Sequence, residues 1–123
     1  MRRALLSIRD RMDRFGIALS GLCLIHCLAG LLLVAALGLG GEWLLAPAIH
    51  RVGLALAMSV GIVTIGLGAM RHGRRGPLAI AAFGLTLMAC GLVAPHGLGE
   101  AAFTVCGVVL VAAAHVLNLR HAH

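Results

Sequence analysis

Three side chains that bind soft or borderline metals lie within five residues of one another: Cys23, His26 and Cys27, in the run Ser20-Gly21-Leu22-Cys23-Leu24-Ile25-His26-Cys27-Leu28. On a helix these positions are i, i+3 and i+4, so they share a face. Thiolates select soft ions, and imidazole suits zinc and copper. Two thiolates on adjacent turns can hold mercuric ion or Cu(I) at low coordination number. With His26 as a third ligand, zinc would need a fourth from outside. Binding must displace the thiol protons, which ties metal capture to proton release. Each residue also has a plainer use, since buried cysteine packs as a small hydrophobe and a membrane histidine hydrogen-bonds a neighbouring helix.

The elements that carry this face are apolar throughout. The chain has 123 residues, 61% hydrophobic and 11% charged, with a mean hydropathy of +1.04. A soluble domain of this size needs more polar surface than that, so the composition defines an integral membrane protein. Four apolar runs, about residues 15–39, 52–70, 77–93 and 100–119, are each near the ~20 residues that cross a bilayer. The expected fold is all-α, a four-helix membrane bundle preceded by a short amphipathic helix over residues 1–14, where Arg2, Arg3, Arg9, Arg11 and Arg14 interleave with Leu5, Leu6, Ile8 and Met12. The membrane domain then covers 15–120 and a short tail 121–123. The first run is too long for a signal-peptide core and lacks a small-x-small cleavage site, so it is expected to remain as a span.

Charge sets orientation. All ten basic residues are arginine, and nine lie before the first span, in the turn Arg71-His72-Gly73-Arg74-Arg75, or at Arg120. The positive-inside rule puts these segments, and both termini, in the cytoplasm. At helix ends the arginines read as topology and lipid-headgroup signals rather than a nucleic-acid patch, and aromatic content of 3% argues against base stacking. The opposite loops carry Glu42, His50, His96 and Glu100, with Trp43 as an interfacial anchor. Glu42, His50, His96 and Glu100 are candidates for a mouth to an ion path.

Small residues accompany the chemistry. Gly16, Ser20, Cys23, His26, Cys27, Gly30 and Val34 fall on one side of the first span, so the thiols should face the bundle, with Ile17, Leu22, Ile25, Leu32 and Leu33 elsewhere. Span two has a stripe of His50, Gly53, Ala57, Gly61, Thr64 and Gly68. Span four has Glu100, Thr104, Gly107, Val111, His115 and Asn118 on one face. This face reads either as an ion or proton path ending at His115, or as hydrogen bonding of His115 and Asn118 to Asp13 or Ser20. Cys90 and Cys106 lie off these faces and read as packing residues. No catalytic signature is present, so no enzyme is expected.

The segment Asp13-Arg14-x-Gly16-x-x-x-Ser20-x-Leu22-Cys23-x-x-His26-Cys27-Leu28 resembles the first span of MerC-domain proteins. Gly99-Glu100 and Ala114-His115-x-x-Asn118-x-Arg120 resemble the family's fourth span. The resemblance implies a bacterial inner-membrane transporter that passes mercuric ion inward to a cytoplasmic metal-accepting protein, with the metal-binding cysteine pair falling on Cys23 and Cys27. The best-known mercury transporters of the family carry a closer pair and cysteines near the C-terminus. Here three residues separate the thiols, and the tail offers His121 and His123. The expected partners are lipid, the transported ion and further copies of the chain, with no permanently bound cofactor; zinc or Cu(I) are the alternative cargoes. Seven histidines also admit a haem carrier with His26 and His115 as axial ligands, and the thiols a redox sensor.

Overall fold

A computed structural model describes residues 1–38, 46–95 and 97–121, with backbone alone at 2, 31, 34, 47 and 72. Among these residues the chain forms four α-helices and no strand: α1 Arg2–Leu37, α2 Pro47–His72, α3 Gly76–Val93 and α4 Leu98–Arg120. Each is long and apolar enough to cross a membrane. The breaks follow local chemistry. α1 and α2 end at Gly38 and Gly73, both left-handed with φ of 57° and 66°, a conformation that glycine adopts without a Cβ clash. α3 restarts with Pro77 in its first turn, where the missing N–H would have no helical partner. Glu100 opens α4 and Arg120 closes it, each the charge that the helix dipole favours there.

The basic segment is helical, as its pattern indicates, but it runs straight into the first span. No glycine or proline interrupts residues 1–15, so nothing stops α1, a single 36-residue helix. At 1.5 Å per residue it is about 54 Å long, against a hydrocarbon core of ~30 Å. Its first turns therefore project beyond the span.

The chain runs up and down, which brings the start of α1, the α2–α3 turn and the end of α4 to one end of the bundle. Asp13 bonds His115 and Asn118 there, and Arg74 reaches His121 at 3.5 Å. The arginine-bearing segments thus share a side, as their distribution along the sequence requires. α3 and α4 form the closest pair. They cross at two glycines: a methyl on Gly107 would come within 2.6 Å of the Gly84 carbonyl oxygen, and one on Gly84 within 2.8 Å of the Gly107 oxygen. Only hydrogen at both positions allows the backbones to come this near.

The faces separate cleanly. Leu22, Ile25 and Leu32 of α1 are 68%, 68% and 69% exposed, while Ser20 is buried, as are Gly16 and Gly30. A soluble protein would not present such a surface, and acyl chains cover it without cost. Inside, Leu54, Met88, Val108 and Val111 form one cluster, against which Cys23 packs, and Ile65, Ala81 and Ala114 form another.

Replacing Gly107 with alanine should therefore force α3 and α4 apart and lower stability by about 1–3 kcal/mol, read as thermal unfolding in detergent. Gly66→Ala, where a methyl would meet open space, should instead be neutral or stabilising by up to about 1 kcal/mol.

Candidate metal-transport site

α1 positions the thiols. Cys23 and Cys27 stand one turn apart, with Cβ atoms about 5–6 Å from each other by helix geometry. Two sulfurs on such a frame can close on one ion at metal–sulfur distances of about 2.3 Å. Both are half-buried and free of disulfide. Cys23 faces α2 at Gly53, where a methyl would lie 3.6 Å from its Sγ. Cys27 lies within electrostatic range of both Cys23 and Glu100 of α4. The cysteine face therefore looks inward, as the stripe of small residues indicates.

His26 is also half-buried, but it sits further round α1. At about 100° per residue it stands roughly 140° from Asp13, whereas Cys23 and Cys27 lie within about 80°. Among the described residues no group of three or more His, Cys, Asp or Glu side chains is placed to hold one metal ion. The two cysteines share the inward side of α1, and His26 stands at the edge of that side.

At the mouth, His50 Nε2 lies 3.2 Å from Thr104 Oγ1, and Thr104 is buried. Glu100 is partly buried one turn before Thr104. His96 and Glu42, the other mouth candidates, lie outside the described residues, as does His123. His121 contacts Arg74. Cys106 is exposed on the outer side of α4 and Cys90 is partly buried, which fits packing and lipid contact.

The other end holds a buried polar network. The Asp13 carboxylate is fully buried and His115 is 1% exposed. The His115 ring nitrogen Nδ1 lies 2.8 Å from Asp13 Oδ1, and Asn118 Nδ2 donates to Asp13 Oδ2 at 2.8 Å. Asn118 also reaches the Thr64 carbonyl oxygen at 3.5 Å, tying α2 into the same point. A carboxylate only accepts, so Nδ1 of His115 carries the proton. Gly16 and Gly68 make room: their Cα atoms face the His115 ring and the Asn118 amide so closely that a methyl on either would clash.

The sequence reading misplaced one residue here. Arg9 was expected to serve as a topology or headgroup charge, but it is 6% exposed. Its Nε lies 3.9 Å from Asp13 Oδ2 and its Nη2 3.6 Å from Asp10 Oδ1. The i, i+4 spacing of Arg9 and Asp13 was the available signal. Asp13 is buried, and a buried carboxylate draws its counter-charge in with it.

Between the two ends lies a small cavity of about 10 Å³ whose lining includes Gly16, Ser20, Cys23, Ala57, Met88 and His115, enough for one water-sized body. The haem arrangement does not fit this geometry. His115 rests on Gly16, ten residues and about 15 Å along α1 from His26, too far for one iron to hold both rings.

The fold and this face define a small polytopic membrane protein with thiols turned into its bundle. The chain belongs to the MerC mercury resistance protein family, whose profile matches residues 13–120. No curated protein and no solved structure matches it.

Removing the carboxylate leaves His115 Nδ1 without its acceptor, takes one acceptor from Asn118 and takes one counter-charge from Arg9. Asp13→Ala should cost about 3–5 kcal/mol, measured by chemical or thermal unfolding in detergent micelles. Ser59→Ala, whose hydroxyl only bonds its own helix at Ala55 on an exposed face, should change stability by less than about 0.5 kcal/mol.

Proposed function

We propose that this protein carries mercuric ion across the bacterial inner membrane, inward from a mouth at His50 and Glu100, with Cys23 and Cys27 as the ligands that hold the ion in transit. The observation that carries the reading is the inward-facing cysteine pair in a chain of the mercury resistance family. Two sulfurs one turn apart, with no third ligand clustered on them among the described residues, suit an ion content with two-coordination. Zinc asks for four ligands, so mercuric ion is favoured over zinc, and Cu(I) is the closest competitor in softness. The arginine-rich end, with both termini, faces the cytoplasm by the positive-inside rule, and the ion leaves there to a cytoplasmic acceptor.

Purified protein should bind one mercuric ion per chain. The double variant Cys23→Ser with Cys27→Ser should lose about a hundredfold or more in affinity, which corresponds to ~2.7 kcal/mol, and should no longer move mercuric ion into proteoliposomes. Undiminished binding by the double variant would overturn the reading.

A further inference from the structure

The thiols do not finish the path. Beyond Cys23, toward the end that holds the start of α1, the interior group able to take a soft or borderline ion among the described residues is the Nε2 nitrogen of His115. We infer that His115 is a second metal station, receiving the ion from Cys23 across the small cavity that both side chains line. This inference rests on the transport reading above and extends it to a residue outside the cysteine face.

Three observations carry it. First, the ring is held in the arrangement used by metal-binding histidines. Its Nδ1–H points at Asp13 Oδ1, 2.8 Å away, while Asn118 holds the other carboxylate oxygen. A carboxylate on Nδ1 fixes the tautomer, orients the ring and leaves the Nε2 lone pair as the ligand. Second, the ring packs its face over Gly16, on the side of Nε2, Cε1 and Cδ2, and Gly16, His115, Ser20 and Cys23 line one cavity of about 10 Å³. Gly16 and Cys23 are seven residues apart on the same side of α1, about 10 Å along its axis, with Ser20 between them. Third, a cation already stands beside the carboxylate: Arg9 faces Asp13 at 3.9 Å, so His115 is not its one possible counter-charge.

The step is a ligand exchange. The metal–sulfur bond to Cys27 breaks first and leaves the ion on Cys23; the bond to Cys23 then breaks as the bond to His115 Nε2 forms. Each released thiolate takes up one proton from water, and no electrons change hands. Imidazole holds a soft ion more weakly than thiolate does, so the ion is released from His115 more readily than from the cysteines.

The test separates a ligand from a structural histidine by exchanging one property at a time. Glutamine at this position keeps an N–H for Asp13 but supplies no soft ligand; cysteine supplies the ligand but cannot reproduce the bond to Asp13. In proteoliposomes containing the full chain, His115→Gln should lower mercuric ion flux by about tenfold or more while the chain still loads one ion at equilibrium. His115→Cys should keep flux within a few-fold of wild type. A merely structural role gives the reverse order, and glutamine at wild-type flux or cysteine without flux overturns the inference. Equilibrium loading reports on the cysteine reading separately: if wild type fails to load mercuric ion, it is that reading that fails. A second measurement reads the coordination directly. X-ray absorption of Cys27→Ser loaded with one mercuric ion should show an imidazole neighbour. That signal should vanish in Cys27→Ser with His115→Gln; its survival would assign the imidazole to His26 and refute the station.

Discussion

A carboxylate inside a membrane bundle must find its donors within the protein, because neither lipid nor packed side chains can replace them. Asp13 finds them on α4, in His115 and Asn118, and Arg9 of its own helix adds a counter-charge at 3.9 Å. Asn118 extends the network to the Thr64 carbonyl of α2. The arrangement fixes more than one contact. A helix held at Asp13 can no longer rotate about its axis, and on a 3.6-residue period this sets the direction of every residue above it. Gly16, Ser20, Cys23 and Cys27 follow Asp13 inward; Leu22, Ile25 and Leu32 turn outward. α1 is the least buried of the four helices over its apolar stretch, so it has the least apolar packing inside the protein to hold its orientation. The polar bond at its base supplies what packing does not.

The second constraint is the width of the bundle. Backbone contact at Gly84 and Gly107 draws α3 and α4 together, and the bare Cα atoms of Gly16 and Gly68 admit the His115 ring and the Asn118 amide. In lipid, where apolar side chains gain little by leaving acyl chains for one another, such close approach is the main source of helix association. The small-residue stripes and the polar network are therefore one device. The glycines bring the helices near enough for Asp13 to reach its donors, and the donors make that nearness specific.

Much of this was legible in the sequence, for identifiable reasons. Span number and type follow from hydropathy, and the shared end of the arginine segments follows from charge. The pairing of His115 and Asn118 with Asp13 was one of two readings of the α4 stripe, because polar groups on the inner face of a span need partners of matching type. What escaped was tertiary. Continuity of α1 through residues 1–15 depends on the absence of a breaker, a weaker signal than the change from charged to apolar composition that suggested a boundary. Arg9 read as a surface charge because arginine at a helix end usually is one; only its partner's burial draws it in. His26 looked like a third ligand because i, i+3 and i+4 share a broad face. That face is wide enough for one of the three to turn aside, and the spacing does not say which.

The distribution of polar groups along the interior argues for a path more than any single residue does. An ion stripped of water must be met by ligands at short intervals, since each uncompensated step in low dielectric is expensive. The bundle offers His50 with Thr104 and Glu100 near one end, the two sulfurs further in, Ser20 beside the cavity, and His115 at the other end. These residues come from α1, α2 and α4, while α3 contributes glycine and methionine to the wall. If the polar residues served only to bind helices together, they would be expected wherever helices touch. The closest pair, α3 and α4, instead meets mainly through glycine and aliphatic side chains, and the candidate ligands lie where α1 and α2 meet each other and α4.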